Sequence, residues 1–356
     1  MGRSFQIGIF AGIPVKVHWS FGFMLFYVLF LGQAIGLNGE QMIWFSIYIL
    51  ALFFCVILHE YGHALTAKKY QVDTLDIIIS PIGGLARLKS LPDKPLQEFF
   101  IAIAGPLVNV VLATLIGSII YFGMGENPLD ISENFSQIQV FSEFLKMVFL
   151  TNVALFIFNL IPAFPMDGGR VLRSLLSLKM TRVKATMIAS SIGKILAVGF
   201  LITAFINQHL ILGFIGIFIF SMAHTEYKQI KLIDKLKTTM IGDIAIVNIK
   251  PLRLDDPIAD VSTDGPLKSQ IVVNESGFPI GSLPIHFIDD AKENLSRDVT
   301  VKQLLSPKIR YVDESLSVEE TKELMQEEGL SVVAVTKNGQ LHGAVDRYII
   351  LNFIRS

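Results

Sequence analysis

The sequence predicts a polytopic α-helical membrane protein with about six transmembrane helices and a membrane-associated β-hairpin, followed by a soluble α/β domain. Of the 356 residues, 52% are hydrophobic and only 17% are charged. The charges are sparse in the first two-thirds of the chain, where residues 17–58 contain a single charged residue, Glu40. A stretch of this length and composition is stable in lipid or in a very large core, so the first two-thirds is expected to span a membrane.

Six apolar segments are long enough to cross a hydrocarbon core of about 30 Å, at about 1.5 Å of rise per helical residue. They are residues 17–37, 42–67, 99–122, 144–161, 187–206 and 211–227. Lysine and arginine occur before the first segment and after the second, fourth and sixth, whereas the loops on the other side contain neither residue. By the positive-inside rule, both termini are expected in the cytoplasm.

Charge and cysteine content exclude several other classes of protein. The formal net charge is −1 and there is no lysine- or arginine-rich tract, so nucleic acid is not an expected partner. The single cysteine, Cys55, excludes an internal disulfide framework and a cysteine-based zinc site. The expected surroundings are the lipid bilayer.

The second apolar segment contains the pattern H-E-x-x-H, formed by His59, Glu60 and His63. Residues i and i+4 share one face of a helix, so both imidazoles can bind one zinc ion while the glutamate lies beside a water molecule and accepts its proton. His59 precedes Lys68 by nine residues, which places it on the order of 13 Å from the cytoplasmic end of the helix. Ionisable residues at that depth are costly, which indicates a functional site.

A hydrolytic zinc site needs a third protein ligand, and Asp167 is the best candidate. Pro162 and Pro165 are expected to end the fourth helix, and Gly168 and Gly169 permit backbone geometry closed to other residues. Asp167 would then lie on irregular backbone that lines a cavity. The alternative is that it caps a short interfacial helix beginning at Gly168.

Residues 72–88 predict a β-hairpin whose turn contains Gly83 and Gly84. Its free edge could bind an unwound substrate segment by strand addition, or the hairpin could be purely structural. Asn159 is expected either to orient substrate or to bond a neighbouring helix. Gly105-Pro106 and Asn109 are expected to break the third transmembrane helix and to allow close helix packing.

The motifs His59-Glu60-x-x-His63 and Asn159-x-x-Pro-x-x-Pro-x-Asp167, with the segment Pro81-Ile-Gly83-Gly84 between them, resemble the site-2 protease family of intramembrane zinc metalloproteases. The resemblance implies that His59, His63 and Asp167 bind one Zn²⁺ ion and that Glu60 is the catalytic base. It also implies a bacterial or archaeal cell membrane as the location, and single-span regulatory membrane proteins as substrates.

The composition changes beyond Lys237 to a mixed, charged pattern, which predicts domains at residues 1–237 and 238–356. A helix over 319–329, strands over 331–335 and 341–345 and a helix over 347–354 resemble a cystathionine-β-synthase (CBS) module. A degenerate copy without a clear first helix is expected before it, so the copies would cover 238–295 and 296–356.

CBS modules often bind adenine nucleotides, but this chain departs from the nucleotide-binding pattern. Asp346 and Ile349 stand where that pattern has threonine or serine and then aspartate. The missing aspartate would have bound the ribose hydroxyls, and an acidic residue would face phosphate. The departure argues against nucleotide binding and leaves homodimerisation or substrate docking as roles for the domain.

The sequence therefore predicts an intramembrane zinc endopeptidase with a cytosolic regulatory domain. Two alternatives remain at this point: a CBS-regulated membrane transporter, and a non-proteolytic relative that binds membrane proteins.

Overall fold

The chain forms two compact units, Met1–Lys228 and Gln229–Ser356, in a computed structural model. The model describes residues 4–81, 83–90, 92, 94–130, 141–247, 249–294 and 299–356. Part of the loop expected between the third and fourth transmembrane segments, and the boundary expected at 295/296, lie outside these residues. Each unit is described by itself.

Five helices of the described residues are long and apolar enough to cross a membrane. They are α2 (Gly39–Lys69), α3 (Pro95–Ser118, continued by a π-helical turn over Ile119–Met124), α4 (Phe141–Asn159), α6 (Arg182–Asn207) and α7 (Leu210–Thr238). They correspond to the second to sixth apolar segments of the sequence.

The first apolar segment does not form a helix of the expected length. Helix α1, Phe21–Ala34, has 14 residues and therefore rises by about 21 Å, less than the hydrocarbon thickness. Residues 17 and 18 belong instead to strand β2, Ile13–His18. The expectation of a helix over 17–37 was wrong at its beginning because Val17 alternates with Val15 in a strand that pairs on both sides.

Strand β2 belongs to a four-stranded sheet with the order β1-β2-β3-β4. Its other members are β1 (Ser4–Phe10), β3 (Thr74–Ser80) and β4 (Gly83–Leu88). The antiparallel pair β3–β4 confirms the predicted hairpin, but the expectation that Gly83 and Gly84 lie in its turn was wrong, because both pair with β3 as the first residues of β4. The hairpin is part of a larger sheet because β2 pairs in parallel with β3.

A buried carboxylate joins three strands of this sheet. Asp76 on β3 accepts hydrogen bonds from Lys16 on β2 at 2.6 Å and from Arg87 on β4 at 2.5–2.6 Å. The side-chain hydrogen bond from Arg87 is the largest contribution that holds the pKa of Asp76 below its usual value. These ion pairs fix the lateral position of β4.

Helices α2, α3 and α4 pack in sequence, and small residues allow the closest approach. A Cβ atom on Gly62 of α2 would lie 2.7 Å from the carbonyl oxygen of Ala104 on α3. Helix α3 continues through Pro106 to Ser118, so the expectation that Gly105-Pro106 and Asn109 break it was wrong. Neighbouring helices tolerate one proline inside a membrane helix.

Helix α4 ends at Asn159, and the short helix α5 covers Asp167–Leu176. The intervening segment contains both prolines that were expected to end the helix, Pro162 and Pro165. The helix break and the short following helix are both present, but the expectation that Asp167 lies on irregular backbone was wrong, because it is the first residue of α5.

The described residues of the second unit form two small sheets with matching strand arrangements. In one, β9 (Tyr311–Asp313) is parallel to β10 (Val332–Lys337), which is antiparallel to β11 (Gln340–Asp346). In the other, β6 (Leu252–Arg253) is parallel to β7 (Ser269–Val273), which is antiparallel to β8 (Pro279–Pro284). A short strand, β5 (Ile246–Val247), extends the first sheet beside β11.

The helices of this unit show how the two halves differ. They are α8 (Ile241–Ile244), α9 (Ile285–Asn294), α10 (Val301–Leu304), α11 (Val318–Glu327) and α12 (Arg347–Arg355). Helix α11 lies between β9 and β10, whereas only a three-residue 3₁₀ helix, Ile258–Asp260, lies between β6 and β7. Within residues 249–294, which the structure describes, the first half thus has no counterpart of α11.

Candidate active site

Three side chains from two helices converge inside the first unit. His59 and His63 lie one turn apart on α2, and Asp167 begins α5. Asp167 Oδ2 lies 3.1 Å from Nε2 of each histidine, and the two Nε2 atoms are 3.0 Å apart. The three residues form a group that could hold a metal ion.

The spacing and chemistry of this group suit zinc. A tetrahedral zinc site has nitrogen and oxygen ligands at about 2.0–2.2 Å, which puts neighbouring donor atoms roughly 3.3–3.5 Å apart. The observed separations of 3.0–3.1 Å are close to this value. Two imidazoles and one carboxylate also leave a fourth position for water or substrate, as hydrolytic zinc sites require.

The other ring nitrogen of each histidine has its own hydrogen-bond partner. His59 Nδ1 lies 2.5 Å from Asn109 Oδ1, and His63 Nδ1 lies 2.7 Å from the carbonyl oxygen of Ile101. Because both partners are acceptors, they favour a proton on Nδ1, which leaves the Nε2 lone pairs directed at the shared site. Helix α3, which carries both acceptors, therefore sets the orientation of the two imidazoles.

Asn109 is itself held in place by a buried polar chain. Its Nδ2 donates to Asn152 Oδ1 at 2.9 Å. Asn152 Nδ2 in turn donates to the carbonyl oxygen of Val148 at 2.9 Å and lies 3.3 Å from Cys55 Sγ. Both asparagines are fully buried. The chain fixes the amide of Asn109 so that its oxygen, and not its nitrogen, faces His59.

Glycines provide the space that this arrangement needs. A Cβ atom on Gly105 of α3 would collide with the rings of His59 and His63. A Cβ atom on Gly168 would collide with the backbone of Leu160 and Ile161, and one on Gly169 would lie 2.7 Å from Phe164 N. Neither Gly168 nor Gly169 has a positive φ, so these two glycines are needed for close approach of the backbone and not for unusual conformation.

Glu60 points toward the sheet. Its Oε2 accepts a hydrogen bond from the backbone N–H of Ala86 on β4 at 2.8 Å. A Cβ atom on Gly84 would lie 2.7 Å from Glu60 Cγ and 3.0 Å from Val56 Cγ1. Gly84 therefore lets β4 lie directly against the face of α2 that carries Glu60.

The two other predicted site residues differ from Gly84 in their surroundings. Gly83 is the first residue of β4, where its φ of +133° favours glycine, and a Cβ atom there would have no neighbour within 4 Å. Asn159 is the last residue of α4 and is half-buried, and its side chain has no hydrogen bond to any residue in the described part of the chain.

A buried ion-pair network holds α5, and with it Asp167, against the other helices. Glu98 on α3 pairs with Arg173 on α5 at 2.6 Å and with Arg182 on α6. Arg173 also pairs with Glu226 on α7 at 2.6 Å. Removing one partner of a buried pair typically costs about 3–5 kcal/mol because the other charge is left uncompensated. The network therefore strongly favours one position of α5.

Comparison with known proteins agrees with this site. Residues 47–200 match the model of peptidase family M50, and residues 301–356 match the CBS domain. A zinc metalloprotease of Methanocaldococcus jannaschii is 33% identical over 354 residues, which is 99% of this chain and 96% of the relative. The chain belongs to peptidase family M50. It is an integral membrane zinc metalloprotease with a C-terminal CBS domain.

This M50 protease is also similar to a second relative in sequence and to one solved structure. A relative from Synechocystis is 27% identical over 383 residues, which is 100% of this chain and 97% of the relative. A solved site-2 protease structure from Methanocaldococcus jannaschii is 34% identical, with a TM-score of 0.48, and covers 63% of this chain and 95% of its own.

Sequence reasoning missed four contributors to the site of this M50 protease. Gly105 and Asn109 were expected to serve helix packing and not the metal site, and no role was expected for the Ile101 carbonyl or the Ala86 N–H. Backbone groups carry no sequence signal. Asn109 could have been found, because a buried asparagine in a membrane helix must find a partner and His59 offers an imidazole N–H.

Gly105→Ala is expected to displace the imidazoles and to lower the zinc content of the purified protein from about one ion to well below half of one. The reason is that the new Cβ atom would occupy the space of both rings. Metal analysis of the detergent-solubilised protein measures this. Gly199→Ala is the control, since its Cβ atom would have no neighbour within 4 Å. Full zinc occupancy in Gly105→Ala would contradict the packing argument.

Asn109→Ala is expected to weaken zinc binding by about 10–100-fold, because it removes the acceptor that orients His59. Competition with a chelator of known zinc affinity measures the change. Asn159→Ala, which removes an asparagine without a described hydrogen bond, should bind zinc like the unmodified protein. Equal affinities in both variants would show that Asn109 does not orient the ligand.

Proposed function

We propose that this membrane zinc metalloprotease is an intramembrane endopeptidase that cleaves transmembrane helices of single-span regulatory proteins. The observation that carries the proposal is the position of the site: His59, Glu60 and His63 lie in the membrane-length helix α2, Asp167 of α5 converges on the two histidines, and Glu60 contacts strand β4 of the sheet. The site-2 protease resemblance found in the sequence supports the same substrate class.

His59, His63 and Asp167 would hold the zinc ion, with the orientation imposed by Asn109 and the Ile101 carbonyl. A bound zinc ion supplies Lewis acidity, which polarises a peptide carbonyl and lowers the pKa of water toward neutrality. Glu60 then accepts the proton of the attacking water and returns it to the leaving amine, so its carboxylate begins and ends the cycle ionised. His59 and His63 are buried, which limits the access of bulk water to the ligand group.

A helical substrate must unwind before it can be cut, because its scissile carbonyl is hydrogen-bonded within the helix. The freed backbone groups then need partners at a depth where water is scarce. Strand β4 is the last strand in the order β1-β2-β3-β4, so one of its edges is unpaired by the described sheet. An extended substrate segment can therefore be bound there by strand addition, beside Glu60.

The protease is favoured over both alternatives considered from the sequence. The family assignment is to a peptidase and not to a transporter. A non-proteolytic relative would need neither the complete ligand set nor Glu60, and this chain retains all four residues.

Glu60→Gln and Asp167→Ala provide the test, with co-expression of a tagged single-span membrane protein as the probe. Both variants are expected to lower cleavage at least 100-fold. Glu60→Gln should keep its zinc, because Glu60 is not among the converging ligands, whereas Asp167→Ala should lose most of it. Cleavage of the probe at the same rate by the unmodified protein and by both variants would refute the proposal.

The CBS unit is proposed to act without adenine nucleotide. Asp346 is buried, and its two carboxylate oxygens accept from the backbone N–H groups of Ile349, at 2.9 Å, and Lys268. The side chain of Ile349 packs against the apolar clusters that include Val333 and Ala334. The two positions that would recognise ribose and phosphate thus hold the domain together.

Titration of the full-length protein with AMP and with ATP is accordingly expected to give no saturable heat below about 1 mM. Isothermal calorimetry in detergent measures the heat of binding. Asp346→Ala is the comparison variant, and it is expected to lower the stability of the domain because it removes two backbone contacts. Binding of either nucleotide at micromolar concentration would overturn the assignment.

A further inference from the structure

The backbone N–H of Ala86 faces the edge of β4 that has no partner strand among the described residues. Ala86 is paired with Ile77 of β3, yet its N–H donates to Glu60 Oε2 at 2.8 Å and so does not bond β3. In an antiparallel ladder the outward-facing residues alternate. The main-chain groups of Gly84, paired with Ile79, therefore face the same side as those of Ala86.

Among the described residues, the N–H of Ala86 is the group that donates a hydrogen bond to the Glu60 carboxylate. The contact is close because Gly84 lacks a side chain and lets the strand lie against α2. The position of the strand is in turn fixed by Asp76, which joins Arg87 of β4 to Lys16 of β2. The hydrogen bond between Ala86 and Glu60 is thus supported by contacts on both sides of β4.

An added substrate strand needs the same donor. To extend the ladder, a substrate carbonyl must accept a hydrogen bond from an outward-facing N–H of β4. The N–H of Ala86 points at Glu60, so the substrate carbonyl and the Glu60 carboxylate would compete for one hydrogen.

We infer that the Ala86 N–H couples substrate binding to release of the catalytic base: it holds Glu60 while the edge is empty, and passes to a substrate carbonyl when an extended segment pairs with β4. This inference rests on the proposed function, since it takes Glu60 as the base and β4 as the binding edge. Its consequence is selectivity. The base is set free by a chain that is already unwound and paired, and not by a helix that merely lies nearby.

Proline at position 86 removes this N–H with little cost to the sheet. Proline is tolerated on edge strands where the N–H faces away from the neighbouring strand, and the bond between Ala86 and Glu60 shows that this is the case here. Ala86→Val is the matched control, because it adds a side chain of similar size and keeps the N–H. Zinc content and thermal stability establish that both variants are folded.

Two probes separate binding from release of the base. The first is a tagged single-span protein in proteoliposomes, with a Gly-Pro pair that weakens its helix. The second is a fluorogenic peptide of about four residues, too short to form a ladder. With the first probe, Ala86→Pro is expected to raise KM about fivefold or more, the loss expected for one backbone hydrogen bond, while kcat stays within about twofold. With the second, its kcat/KM should be at least twofold higher than that of the unmodified protein.

The outcomes are distinguishable. A fall in kcat of about tenfold or more for both probes, with KM unchanged, would mean that the Ala86 N–H orients Glu60 during the reaction, and the coupling would be wrong. Ala86→Val behaving like Ala86→Pro would mean that bulk and not the N–H matters, which also overturns it. If Glu60→Gln cleaves both probes normally, the proposed function itself fails, whatever Ala86→Pro does.

Discussion

The need to pair every polar group at membrane depth governs the structure of the first unit. An unpaired donor or acceptor in a water-poor environment costs several kcal/mol, and an isolated charge costs more. His59 and His63 meet this requirement with both ring nitrogens: one faces the shared site with Asp167, and the other faces an acceptor on α3. The hydrogen bonds that the two imidazoles must form at membrane depth therefore also fix the orientation of the ligand group.

Close helix packing follows from the same requirement. The acceptors on α3 reach the histidines because α2 and α3 approach closely at Gly62 and Gly105. Larger residues at either position would separate the helices and leave the imidazole N–H groups unpaired. Small residues at helix interfaces are a general feature of membrane proteins, and here they also set the geometry of a metal site.

Direct contacts join the sheet to the helix that carries the zinc-ligand histidines. Strand β4 contacts Glu60 directly, and the ion pairs of Asp76 with Lys16 and Arg87 fix that strand laterally. The network of Glu98 with Arg173 and Arg182 positions α5. Ion pairs thus fix both the strand that contacts Glu60 and the helix that begins with Asp167.

The sequence by itself determined the chemistry and most of the helices. The spacing of His59 and His63 predicts a shared face on any helix, and Pro162 and Pro165 predict the break before Asp167, because these are local properties of the chain. The length of α1, the role of Asn109 and the hydrogen bond from Ala86 to Glu60 were decided only by the tertiary structure. Each depends on which residues of distant segments meet, and a backbone N–H carries no mark of its partner in the sequence.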